Sequence, residues 1–270
     1  MSIVTMLFVA TALGYASAAM MFSAHLRGRG ARSVWWATRT LGVAIAAHVS
    51  FLVADYALSG RAPLSTMHET LAVLSLLIVV SFLATMRRHR LAVLGAFITP
   101  VTLLLFLGAA LRGPVGRVPE GVRSALLPFH IVVNVLGLAA FALAFAVAIA
   151  YVIQEQLLRK RQLGGIFQRL PSLDVLDSLG FRLVTIGFPL FTLGVVTGSL
   201  WAVRLGNATT PTTFSTGQGF AVLAWLFFAT VLLSRVAGGW RGRRAAIGTM
   251  LGFLCAMAAV GGYVLRSVGG

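Results

Sequence analysis

A chain of 270 residues would ordinarily make one or two soluble domains, but 59% of this one is hydrophobic, 10% is charged and the mean hydropathy is +0.94. Soluble domains carry about 25% charged residues, so a water-facing surface cannot be built and a polytopic membrane protein is expected. The lone Cys255 excludes a disulfide framework or a multi-cysteine metal or redox site within the chain, and the net charge of +16 bears on membrane sidedness, not on nucleic acid.

A helix needs about 20 mostly apolar residues to cross the hydrocarbon core. Eight stretches qualify, at about 2–24, 38–57, 68–86, 91–111, 129–152, 181–201, 219–236 and 245–265. Their apolar runs are continuous rather than alternating, which predicts helices and not strands. The expected fold is an all-α integral membrane bundle of about eight transmembrane helices, forming a single polytopic domain over 1–270. The first basic residue, Arg27, lies beyond the first stretch, so that stretch reads as a retained helix and not as a cleaved signal peptide.

Basic residues set the orientation. With the amino terminus outside, 16 of the 22 Lys and Arg residues fall on the cytoplasmic side and 6 outside. The cytoplasmic groups centre on Arg27–Arg39, Arg87–Arg90, Arg159–Arg182 and Arg235–Arg244. That asymmetry predicts both termini outside, in a multi-pass protein of the bacterial inner membrane. Between the fifth and sixth spans, Gln154–Gly180 mixes charge with Leu, Ile and Phe, and Pro171-Ser172-Leu173-Asp174 resembles a helix start. The segment either lies along the membrane surface or forms an ordinary cytoplasmic connector. Ala202–Gln218, rich in Thr and Ser with Pro211, reads as an irregular outer loop. Gly194 with Gly198, and Gly248 with Gly252, have the spacing that lets membrane helices approach closely.

Ionisable groups inside a bilayer are costly and mark candidate sites. His25 and His89 sit in arginine-rich cytoplasmic segments and read as solvated. His48 lies near the middle of the second span, while His68 and His130 stand at the outer ends of the third and fifth, near Asp55, Glu69 and Asn134 in depth. Imidazole ligates iron and other transition metals, including haem iron in membrane bundles. At 1.5 Å per residue, His48 lies roughly 13 Å below the outer end of its span, about 10 Å deeper than His130. By depth alone, His68 and His130 form the better pair. Each histidine can equally be a packing residue bonded to a carbonyl, a hydroxyl or water.

Residues Pro128–Gln162 and Arg169–Ala202, the segment SRVAGGWRGRRAAIGTMLGF (234–253) and PLSTMHETL (63–71) together resemble the cytochrome c assembly protein family, over about two thirds of the chain. Its length is closest to the eight-span HemX-like members. The resemblance implies haem handling, with His130 in place of the first histidine flanking a tryptophan-rich WWD loop and His48 in place of a histidine within an earlier span. It also puts Trp201 beside the porphyrin. The chain departs from the pattern after Trp201. There VRLGNATTPTTFSTGQGF replaces the tryptophans and acidic residue of that loop, and no histidine follows His130.

Three functions remain open on these residues. The first is a haem-binding protein of cytochrome c biogenesis, with haem as cofactor, His130 and His48 as metal ligands, and cytochrome c maturation proteins as partners. The second is a HemX-like regulator of glutamyl-tRNA reductase level. The third is a ligand-free scaffold in a membrane complex. No nucleophile–base–orienter set appears, so an enzyme is not expected. The lipid bilayer is the one partner common to all three.

Overall fold

The computed structural model describes residues 2–28, 31–60, 64–89, 91–110, 126–209 and 215–269. Among the described residues eight α-helices follow one another: α1 Ile3–Leu26, α2 Ala31–Ser59, α3 Met67–His89, α4 Gly95–Gly108, α5 Leu126–Arg159, α6 Leu173–Thr209, α7 Thr216–Gly238 and α8 Arg243–Gly269. No strand occurs among the described residues. Seven of the helices are long and apolar enough to cross a membrane, all except α4. The protein is a multi-pass membrane protein.

Local chemistry sets several helix starts. Ser2 Oγ accepts from Thr5 N at 3.2 Å and caps α1. Before α3, Thr66 and Glu69 form a reciprocal cap, Thr66 N donating to Glu69 Oε2 at 3.0 Å and Glu69 N to Thr66 Oγ1 at 3.4 Å. Ser65 donates to the same carboxylate oxygen through N and Oγ. Ser215 and Gln218 cap α7 in the same way, at 3.2 and 2.8 Å.

The helices pack as two groups. In the first, α1 lies along α2 and α4, and α3 packs on α4; in the second, α5 pairs with α6 and α8, and α7 with α8. Contacts of α3 and α4 with α5 join the groups, and one apolar core runs through both. The glycine pairs sit at close approaches. A methyl on Gly248 would stand 2.6 Å from Val231, and one on Gly252 would stand 3.1 Å from Phe228. Because helix direction alternates, the first residues of α1, α3, α5 and α7 share one end of the bundle, here called the amino-terminal end.

The opposite end is tied by Asp177 on α6. Its carboxylate takes two hydrogen bonds from Arg235 on α7, at 2.9 and 2.7 Å, and one from the backbone N–H of Gly242 at 3.0 Å. Arg235 also lies over the Phe181 ring at 4.3 Å. The left-handed backbone of Gly242 (φ 76°) fits beneath Tyr151, where a Cβ would meet the phenol oxygen at 2.7 Å. Three helices are thereby pinned by one carboxylate.

The structure alters three expectations and decides between two readings of a fourth segment. The predicted span at 91–111 becomes a single 3-10 turn, Ala92–Leu94, followed by only 14 helical residues. That helix covers about 21 Å of a hydrocarbon core about 30 Å thick. Of the two readings of 154–180, the structure has the connector and no separate surface helix, and the helix start read at Pro171–Asp174 is the start of α6. Helix α5 continues to Arg159, α6 starts at Leu173, and one 3-10 turn, Phe167–Arg169, lies between them. Much of the expected irregular loop at 202–218 is helix, since α6 runs to Thr209 and α7 starts at Thr216. Positions 210–214 lie outside the described residues. His25 belongs to the last turn of α1 rather than to a loop, and its carbonyl accepts a hydrogen bond from Arg169.

Candidate functional site

The histidines fall into two settings. His130 faces α6 from the first turns of α5 and is half-buried. Its Nδ1 lies 3.1 Å from Thr197 Oγ1. The Thr197 hydroxyl already donates to the Leu193 carbonyl at 2.6 Å. A hydroxyl has one proton to give, so Thr197 accepts from His130, and Nδ1 carries the imidazole proton. The Nε2 lone pair is then the basic position of the ring.

Asn134, one turn along α5, donates to the His130 carbonyl at 2.8 Å, and its amide nitrogen lies 3.3 and 3.4 Å from the two ring nitrogens. Two glycines of α6 make room for this pair. A Cβ on Gly194 would overlap the Asn134 amide, and one on Gly198 would stand 2.7 Å from His130 Cε1. The spacing read from sequence as a helix contact is therefore also the floor under a polar pair. Trp201 lies less than one turn beyond Gly198 in α6; its side chain lies outside the described residues.

His48 is fully buried in the α1–α4 group. Its Nδ1 is 2.8 Å from the Tyr15 hydroxyl. Phe106, Tyr15 and Phe51 surround the ring at centroid distances of 4.5, 5.8 and 6.1 Å. Nε2 is buried with no hydrogen-bond partner among the described residues. Burying an unpaired polar nitrogen costs on the order of 1–3 kcal/mol, so this atom is a candidate ligand position.

His68 is engaged differently. Its Nδ1 donates to the Ala109 carbonyl, and its Nε2 lies 3.8 Å from Asp55 Oδ2, with both side chains about nine-tenths buried. These contacts link α2, α3 and the end of α4. The two residues line a cleft of about 430 Å³ at the amino-terminal end, together with Ser2, Thr5, Phe8 and Ser59. Glu69, one residue on, serves as the helix cap described above.

Among the described residues, no hydrogen bond or ring contact joins His130 to His48 or His68, and no cluster of three or more His, Cys, Asp or Glu residues is placed to hold a metal ion. His68 and His130, paired by depth in the sequence, stand on α3 and α5 with separate hydrogen-bond partners. Two residues were missed from sequence. Tyr15 and Thr197 each sit inside an apolar run, where a single hydroxyl carries no periodic signal. The only hint of Thr197 is its place between Gly194 and Gly198.

The family model described as "Cytochrome C assembly protein" matches residues 64–266, which covers α3 to α8 and includes His68 and His130 but not His48. Among curated proteins, the cytochrome c biogenesis protein CcsA of Prochlorococcus marinus (strain MIT 9301) is 26% identical over 243 residues, covering 81% of this chain and 78% of that one. CcsA of Gloeothece citriformis (strain PCC 7424) is 25% identical over 266 residues, 80% of each chain. CcsA of Chlamydomonas reinhardtii is 28% identical over 222 residues, which cover 79% of this chain and 61% of that protein. No solved structure matches.

Proposed function

The chain belongs to the cytochrome c assembly protein family, and from that premise we propose that it handles haem in cytochrome c biogenesis, with His130 as an iron ligand. The observation that carries this reading is the Thr197–His130 hydrogen bond, which puts the ring proton on Nδ1 and leaves Nε2 as the lone-pair nitrogen. Metal-ligating histidines characteristically commit their other nitrogen in this way. Haem would supply an iron that accepts a neutral imidazole as axial ligand. The residues present fit that requirement at His130, and also at His48, whose buried Nε2 is unmatched.

The two histidines serve separate helix groups, so they are assigned separate roles, His130 at the outer end and His48 within the bundle. His68 commits Nδ1 to the Ala109 carbonyl in the same way, but its Nε2 faces the Asp55 carboxylate at 3.8 Å, which makes it the weaker ligand, and Trp201 borders the porphyrin by family resemblance alone. Haem transfer to a cytochrome would fall to another protein, because the segment after Trp201 lacks the aromatic residues and the acid of the WWD pattern. The chain acts as a carrier and not as an enzyme. The Thr197 hydroxyl beside His130 donates its hydrogen bond to the Leu193 carbonyl and not to the imidazole, so no base activates it as a nucleophile. The whole chain works as one polytopic unit in the bacterial inner membrane, alongside cytochrome c maturation proteins.

The test is haem content. The protein and its His130→Ala, His48→Ala and His68→Ala variants are purified, and Soret absorbance per protein is compared. His130→Ala is expected to lose most of the haem, His48→Ala part of it, and His68→Ala little. A full Soret band in His130→Ala would remove the ligand assignment, and a wild type that takes up no haem supplied in excess would remove the haem reading.

A further inference from the structure

We propose that the outward face of α2 at the opposite end of the bundle, formed by Arg32, Trp35, Trp36 and Arg39, binds the headgroup of an anionic phospholipid. The spacing i, i+3, i+4, i+7 places all four residues on one helical stripe, and all four are exposed. The same stripe continues down the helix as apolar surface through Val43 and Val53, which are 71% and 61% exposed. Helix α2 packs on α1 and more lightly on α3, and this stripe faces away from both. An apolar surface in the bilayer, topped by two indoles and two guanidiniums, matches a phospholipid along its length.

The upper part has more organisation than a scatter of basic residues. The Arg39 guanidinium lies 3.8 Å from the centre of the Trp35 ring. Trp35 meets Trp36 edge to face, with centroids 4.6 Å apart. Stacking holds the guanidinium plane and leaves its N–H edge free, the edge that binds a phosphate through two parallel hydrogen bonds. Arg32 stands seven residues earlier, about 10 Å further along the axis towards the aqueous side.

Charge complementarity selects the ligand. Elsewhere at this end four arginines are engaged within the protein: Arg235 with Asp177, Arg159 and Arg243 with Glu155, and Arg169 with the His25 carbonyl. Among the described residues, neither Arg32 nor Arg39 has a carboxylate partner. Asp55 and Glu69 lie at the far ends of α2 and α3, and Glu155, Asp174 and Asp177 belong to α5 and α6. Glu120 lies outside the described residues. Two unpaired guanidiniums on a lipid-facing stripe are therefore neutralised from the bilayer, by a lipid phosphate.

The experiment places the full chain in bilayer discs of phosphatidylcholine containing increasing phosphatidylglycerol, and reads by native mass spectrometry which lipid each released protein retains. Wild type is expected to retain phosphatidylglycerol in preference. R32Q/R39Q should weaken that preference by roughly fivefold for each arginine removed. W35L, which keeps every charge but removes the platform under Arg39, should weaken it as well. K160Q, an exposed cation at the same end, should behave as wild type. A wild-type preference in R32Q/R39Q, a loss in K160Q as large as theirs, or no loss in W35L would each overturn the site.

Discussion

Thr197 has one hydroxyl proton, and it goes to the Leu193 carbonyl rather than to the ring beside it. That allocation makes a testable difference between two substitutions. Thr197→Val keeps the volume but removes the acceptor for His130 Nδ1–H, so the ring loses its fixed tautomer and orientation. Removing such a supporting partner typically costs 10–100-fold in metal affinity. Haem titration of purified protein should therefore show about tenfold weaker binding or more for Thr197→Val and near-normal binding for Thr197→Ser. Equal affinity in all three would mean that Thr197 only decorates the helix. His130 stands out in the sequence because ionisable groups at membrane depth are costly and because the family resemblance expects a histidine there. Thr197 and Tyr15 do not, because their meaning depends on a residue 67 positions away in one case and 33 in the other. Hydropathy has no way to express such pairs.

Among the elements, helix identity was legible and helix length was not. Continuous apolar runs announce spans, but α6 extends past its apolar stretch at both ends, from Leu173 to Thr209. Its start uses the polar residues Asp174 and Asp177, and its end takes in the polar Asn207 and Thr209. The fourth run misled in the other direction. Apolar composition was sufficient for a span, yet only 14 residues are α-helical and Pro100 lies within them. The early start of α6 has a structural use, since it carries Asp177 to Arg235. With side chains only 15% and 12% exposed, this pair belongs to the class in which deleting one partner costs about 3–5 kcal/mol. Asp177→Ala should lower the thermal unfolding midpoint in detergent well beyond Lys160→Ala. The double change with Arg235→Met should recover part of the loss by removing the stranded cation. A midpoint for Asp177→Ala equal to that of Lys160→Ala would show that the three-helix tie contributes little.

At the scale of the molecule, the remaining question is which end faces the cytoplasm. The alternating helices fix which residues share an end, and the ends differ sharply in charge. One gathers Arg27, Arg32, Arg39, Arg159, Lys160, Arg161, Arg169, Arg182, Arg235, Arg241, Arg243 and Arg244 against Glu155, Asp174 and Asp177, while the other has Asp55, Glu69, His68 and His130 with only Arg204 and Arg266 in its helices. Cationic residues in short loops are retained on the cytoplasmic side during insertion, so the first end should be cytoplasmic and both chain termini external. Helix α4 does not upset this count. It falls short of the core thickness but still turns the chain round, because Ala109 at its end accepts a hydrogen bond from His68 in the first turn of α3. The expectation is checked in intact cells, with Cys255→Ser as background and single cysteines introduced at Lys160 and Thr212. An impermeant maleimide should label position 212 from outside and reach position 160 only after permeabilisation. The reverse pattern would turn the bundle over. His130 would then face the cytoplasm and the α2 stripe the external leaflet, which would separate the proposed haem site from the compartment in which cytochromes c are assembled.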